Sequence, residues 1–98
     1  MERPGSGGGV RSKNKPAMTA AERQHVSRMA EMSCVIDNLE PVEIHEFEQG
    51  QWFTAVPLCM ECHRGQEGWH GTRQRWTRAK MDQLKAINET HRRLANGR

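Results

Sequence analysis

Between Thr19 and Ser33 the apolar residues Val26, Met29 and Ala30 recur three and four positions apart, the period of one helix face. The predicted helix covers roughly residues 19–33. It opens on Thr19-Ala20-Ala21-Glu22, a capping box with Thr19 as N-cap and Glu22 reaching back. Cys34 to Asn38 then ends it in a tight turn, punctuated by Asn38 and Pro41. Val42 to Phe47 alternates apolar and polar and reads as a short strand. Glu48 to Gln51 supplies a loop, and Trp52 to Val56 reads as the returning strand, stopped by Pro57. Leu58 to His63 opens a knuckle and a short helix. Gly65, Gly68 and Gly71 interrupt the next stretch. From Thr72, a candidate N-cap, to about Ala95 a helical pattern resumes, with Trp76, Ala79, Leu84, Ile87 and Leu94 on a rough stripe. The class expected is α+β: an N-terminal helix, a hairpin-and-helix (ββα) knuckle and a long C-terminal helix. No internal repeat is present.

Composition narrows this picture. A chain of 98 residues fits one domain. Residues 1–18 hold almost no apolar material and are rich in glycine and basic side chains, so they are expected to form a flexible basic arm, with residues 19–98 as the single folding domain. Only 35% of the chain is hydrophobic, and the mean hydropathy is -0.91. A domain this small often needs a staple besides its core. No apolar stretch reaches the ~20 residues of a membrane span, and the opening residues show no apolar signal region. A cytoplasmic protein with reduced thiols is expected, where a Cys-x-x-Cys is more often metal-binding or catalytic than a disulfide. The three cysteines, an odd number, also speak against a closed disulfide framework.

Charge is unevenly spread. Residues 19–71 carry Arg23, Arg28 and Arg64 against nine acids, whereas residues 72–98 carry eight basic residues against Asp82 and Glu89. An acidic middle between basic arms suits a metal site flanked by phosphate-binding surfaces. A solvated helix face and a basic tail without a partner would give the same numbers.

Cys59-Met60-Glu61-Cys62 is half of a tetrahedral thiolate site, since a two-residue gap lets both sulfurs reach one Zn²⁺ at ~2.3 Å. Cys34 supplies a third ligand. Asp37 stands three residues after Cys34, where a second Cys-x-x-Cys would place its last cysteine. The expected structural zinc set is therefore Cys34, Asp37, Cys59 and Cys62. Buried cysteines acting as small hydrophobes, or a redox pair, are the alternatives; the redox pair lacks the βαβ context it wants. Of five histidines, His45 lies on the first strand and His63 directly follows the knuckle. A hairpin packed on the knuckle helix would bring these two imidazoles to one metal. His25 and His91 read as surface or structural residues.

The run Ala55-Val56-Pro57-Leu58-Cys59-Met60-Glu61-Cys62-His63-Arg64-Gly65 resembles the knuckle-and-helix signature of HNH (ββα-metal) endonucleases. The resemblance is closer still to phage recombination-enhancement, RecA-dependent nucleases. It extends over the helix opening Thr19 to His25, the Cys34 region, Ile44-His45-Glu46, and Gly65 to Gly71 with Trp69-His70, roughly residues 19–72 in all. The resemblance implies a phage-encoded, metal-dependent DNA endonuclease acting in the bacterial cytoplasm. His45 and His63 would hold a catalytic divalent ion such as Mg²⁺, and His70 would be a third active-site group. Three departures stand out. Glu46 occupies the place of the family's general-base histidine. Thr54 stands where many members have the asparagine that orients that base, and Asp37 replaces a zinc cysteine. Glu46 is a substitute base, a further ligand, or the mark of lost activity.

Beyond the motif, Arg73, Arg75, Arg78 and Lys80, together with Arg64 inside it, are candidate nucleic-acid contacts, because the guanidinium fork matches phosphate. The partners expected are DNA and, by the resemblance, a recombinase filament or another host protein. Three functional classes remain open: an endonuclease, a catalytically silent HNH-like module binding DNA or a protein, and a plain zinc-finger DNA-binding protein.

Overall fold

The computed structural model describes residues 17–97. The expected basic arm falls mainly on residues 1–16, outside the described residues. Six elements run in chain order: α1 (Ala20–Ala30), β1 (Glu43–His45), β2 (Val56–Leu58), α2 (Met60–Arg64), α3 (Gln74–Arg78) and α4 (Gln83–Ala95), with a 3-10 turn at Trp52–Thr54. The class is α+β: four helices and one two-stranded antiparallel sheet. Among the described residues no helix is long and apolar enough to cross a membrane.

The capping box forms as expected. Thr19 Oγ1 accepts the Glu22 N–H at 3.1 Å, and Glu22 Oε1 accepts the Thr19 N–H at 2.8 Å. The helix stops at Ala30 rather than Ser33, because the amides of Glu31 and Met32 close back on Arg28 and Met29 in a tightened last turn. The released chain delivers Cys34 and Val35 into the core, both buried.

The two strands are shorter than expected and the second is displaced. Trp52 to Thr54 is a 3-10 turn, not a strand, and β2 contains Pro57 instead of ending before it. The register pairs Glu43 with Leu58, Ile44 with Pro57 and His45 with Val56. A proline is tolerated there because the Pro57 carbonyl faces away from β1, accepting the Val35 amide at 3.2 Å. In the alternating antiparallel ladder, the N–H it lacks would face away too.

The long C-terminal helix is two helices. Lys80 adopts a left-handed conformation, φ 56°, and Asp82 starts α4 by accepting the Lys85 N–H at 2.8 Å. Asp82 is the start signal that the helical period concealed. The first piece, α3, begins after Arg73 instead of Thr72, and Arg73 is itself left-handed, φ 65°. The expected stripe breaks accordingly. Trp76 and Leu94 are buried, but Leu84 is 77% exposed, and α4 buries Ala86, Thr90 and Leu94 instead.

Two apolar clusters result. One gathers Cys34, Val35, Val56, Leu58, Cys59, Cys62, Trp76 and Ala86 around the knuckle; the other joins Met29 of α1 and Met32 just after it to Ala55 and to Leu94 of α4. His25 and His91, read as surface or structural residues, stack with ring centroids 5.4 Å apart and tie α1 to α4 beside Phe53.

On α4 the Glu89 carboxylate accepts two hydrogen bonds from Arg92 and one from Arg93, and these hold its pKa at about 2, below the ordinary 4.5. A folded-state pKa below the unfolded one stabilises the fold above the unfolded value, and this contribution is lost as pH falls towards the folded value. Stability is therefore expected to decline between pH 4.5 and about 2. Glu89→Gln should lower the urea midpoint at neutral pH and flatten its fall across that acid window. Equal acid sensitivity in variant and wild type would contradict the pairing.

Candidate metal centres

The knuckle is built by local hydrogen bonding. Cys59 is the N-cap of α2, its sulfur accepting the Cys62 N–H at 3.4 Å. The turn after α1 acts likewise, with Ile36 N–H donating to Cys34 Sγ at 3.4 Å. Asp37 is fixed by the Leu39 N–H on Oδ1 at 3.1 Å, which turns Oδ2 toward the sulfurs of Cys59 and Cys62 at 3.2 and 3.3 Å. The four expected residues thus converge: one ligand atom from each of Cys34, Asp37, Cys59 and Cys62 lies within 4.8 Å of all the others. This group is able to hold a metal ion, and a three-sulfur, one-oxygen set is compatible with zinc.

Burial dominates the electrostatics of the two knuckle thiols. Burial, followed by the neighbouring Cys34, pushes the Cys62 thiol up, and burial raises Cys59 as well. Thiols so placed bind metal only by releasing their protons to it. Burial also works against the charge of Asp37, but hydrogen bonds from Leu39 and the thiols outweigh it, and its pKa is lowered. Three thiolates and a carboxylate around a divalent ion leave two net negative charges. Arg75 Nη1 stands 3.4 Å from Asp37 Oδ2, where it offsets part of that charge. Arg75, a candidate nucleic-acid contact by sequence, is thus placed beside this cluster.

A second group forms on the neighbouring side of α2. His45 Nδ1 and His63 Nε2 are 3.2 Å apart, and nitrogens of His45, His63 and His70 all lie within 4.8 Å of one another. Two nitrogens at ~2.0–2.1 Å from one tetrahedral ion stand about 3.3 Å apart, so this spacing suits a shared cation. The other ring nitrogen of His45, Nε2, is buried with no hydrogen-bond partner among the described residues. Burial, and then the nearby His63 and His70, lower the His45 pKa to about 4. The ring is therefore neutral near pH 7, with a lone pair to offer.

Backbone packing places His70. The Gly65–Gly71 segment folds back on α2, so that the Trp69 amide donates to the Cys62 carbonyl at 2.8 Å and the His70 amide to the His63 carbonyl at 3.0 Å. Gly68 makes this possible, since a Cβ there would sit 2.5 Å from the Glu61 carbonyl oxygen. His70 ends exposed at the mouth of an open cleft lined by Ile44, His45, Glu46, Gln49, His63 and His70. Glu46 shares the cleft, but its Oε1 accepts the Gly50 N–H at 2.7 Å. Thr54 lies in the 3-10 turn, its hydroxyl donating to the Gln51 carbonyl at 3.2 Å.

One participant was not anticipated. Glu43 Oε1 accepts from His63 Nδ1 at 2.8 Å, which leaves Nε2 as the lone-pair nitrogen facing His45. Arg64 grips the same carboxylate through Nε and Nη2. Arg64 and then His63 hold Glu43 at a pKa of about 2. Glu43 stands two residues before His45, on the same face of the strand, and that alternation was the available signal. Arg64, expected on DNA, is thus a support for Glu43. Arg78 pairs with Glu67 at 2.6 Å. Arg73 meets no carboxylate among the described residues; its Nε donates to the Trp69 carbonyl at 2.7 Å. Lys80 accepts the Lys85 Nζ on its carbonyl at 3.3 Å.

The sulfur-rich group gives a direct expectation. Purified protein should carry about one zinc ion per chain by mass spectrometry. Cys62→Ser should lower both zinc content and melting temperature, by about 10 °C or more if the ion supplies several kcal/mol of folding energy. Unchanged metal content in Cys62→Ser would exclude this residue as a ligand. Compared with known proteins, the chain stands apart: no protein-family model matches it, and neither a curated protein nor a solved structure does.

Proposed function

We propose that the protein is a metal-dependent endonuclease of the HNH (ββα-metal) type that hydrolyses DNA phosphodiester bonds. The observation that carries this reading is the 3.2 Å approach of His45 Nδ1 to His63 Nε2, with His70 open to solvent beside them. Cys34, Asp37, Cys59 and Cys62 would hold a structural zinc that locks the knuckle behind the histidines.

A divalent ion held by His45 and His63, such as Mg²⁺, would neutralise the phosphate and the leaving oxygen. The chain supplies the rest. Glu43 and Arg64 orient His63. His70, at the cleft mouth, takes a proton from water as its oxygen forms a bond to phosphorus and the P–O bond on the far side breaks. Glu46 is the weaker base, because one of its oxygens is already committed to the Gly50 amide.

A second reading is a catalytically silent module of the same architecture that binds DNA or a protein. Glu46 and Thr54 favour it. Their side chains bond locally to Gly50 and Gln51, so neither reproduces the base-and-orienter pair of the endonucleases that the sequence resembles.

The test is cleavage of supercoiled plasmid by zinc-loaded protein with Mg²⁺ or Mn²⁺. Cutting should vanish in His63→Ala and in His70→Ala, and only the first should lose the added ion. Folded wild-type protein that never cuts, whatever divalent ion is supplied, would leave the silent module. Glu43→Gln should weaken Mn²⁺ binding by about 10–100-fold while leaving zinc content unchanged. Equal Mn²⁺ affinity would show that Glu43 does not tune His63.

A further inference from the structure

The arginines near the histidine cleft fall into two kinds. Arg64, Arg75 and Arg78 each give their guanidinium to a carboxylate, of Glu43, Asp37 and Glu67 respectively. Arg73 does not. Its Cζ lies 3.6 Å over the Trp69 ring, and its Nε donates to the Trp69 carbonyl. The guanidinium has five N–H donors, and those on its two terminal nitrogens meet no acceptor among the described residues. Arg73 is also exposed.

Its place relative to the histidines is fixed through the tryptophan. The Trp69 ring is 5.8 Å from the His45 ring, so the Arg73 guanidinium carbon lies no farther than about 9.4 Å from His45, the sum of the two distances. Along one strand of duplex, phosphates recur every ~3.4 Å of axis. A guanidinium within that radius meets the phosphate in the cleft or a close neighbour.

The backbone gives a second, independent observation. Arg73 is left-handed, φ 65°, a conformation that a residue with a Cβ adopts less readily than glycine. Its side chain caps nothing on α3. The position thus keeps a strained arginine where glycine would be easier, and such strain is often retained for a task outside folding.

The geometry points to Arg73 as the phosphate anchor of the histidine cleft, its guanidinium preset on the Trp69 ring to bind the backbone of a nucleic acid held across His45, His63 and His70. This rests on the cleft being where nucleic acid binds. Stacking fixes the plane of the fork, so little freedom is lost when it takes up two phosphate oxygens.

The test uses the full zinc-loaded chain and a short fluorescein-labelled DNA duplex, followed by anisotropy between about 50 and 200 mM salt, in Ca²⁺. Arg73→Gly relieves the backbone, so its melting temperature should equal or exceed that of wild type. Its affinity for the duplex should fall about tenfold at the lower salt, and the slope of log K against log salt should drop by about one. Arg73→Lys should keep the slope and lose part of the affinity. Arg23→Ala, which removes the same charge from α1, should leave both nearly unchanged. Wild-type affinity and slope in Arg73→Gly would overturn the assignment, as would absence of duplex binding by the wild type. Plasmid cutting is read separately. A wild type that binds duplex through Arg73 but never cuts sinks the endonuclease and keeps the anchor, whereas cutting with an unaltered Arg73→Gly salt slope does the reverse.

Discussion

Cys62 and His63 are consecutive residues on a helix little more than one turn long, and successive side chains on a helix diverge by ~100°. One points its sulfur at Cys34, Asp37 and Cys59; the next points its imidazole at His45 and His70. The two groups therefore cannot be arranged separately, because the pose of α2 sets both. One acceptor behind that turn carries two of the bonds that hold the pose. The Cys62 carbonyl takes the Trp69 amide at 2.8 Å and the Trp76 indole N–H at 2.9 Å. These bonds draw the glycine-rich segment and α3 onto the same turn. A buried carbonyl with both lone pairs used leaves the turn little room to rotate.

The apolar core explains why such fixing matters. The larger cluster consists mostly of the residues around the sulfurs, and three of its members are the cysteines themselves. Aromatic packing extends it towards the histidines. Phe47 meets His45 edge-on at 4.7 Å and Trp69 at 5.0 Å, and Trp69 meets Trp76 at 4.7 Å. One continuous wall thus separates sulfur from imidazole, dry enough to keep His45 neutral. Around the cleft, Arg64, Arg75 and Arg78 are matched to acids, while Arg73 is held by a ring and a carbonyl. Net charge by region could not distinguish these two states of an arginine.

Much of the candidate site was legible because its chemistry is encoded in short spacings. The Cys59–Cys62 gap, the Asp37 offset from Cys34 and the placement of His63 after the knuckle all lead to groups that do converge. What was hidden depended on tertiary contact. Trp52 to Thr54 has the composition of a strand, but it closes a 3-10 turn because β2 needs its partner residues later, at Val56 to Leu58. Thr72 to Ala95 has one helical period, but a left-handed Lys80 and the Asp82 cap divide it. The period alone carried no mark of that break, and the buried face of α4 moved to Ala86 and Thr90. Arg64 and Arg75 were read as DNA contacts because a sequence shows their charge and not their partners, Glu43 and Asp37.

Pro57 has a consequence at the sheet's outer margin. Its carbonyl is already taken by the Val35 amide, and its nitrogen carries no hydrogen. The residue is fully buried, so the Val35 segment already closes β2 on this side. Small sheets are otherwise vulnerable to edgewise recruitment by other chains. Along β2 the chain's own turn after α1 fills that edge, and no open strand is left there for another chain to extend.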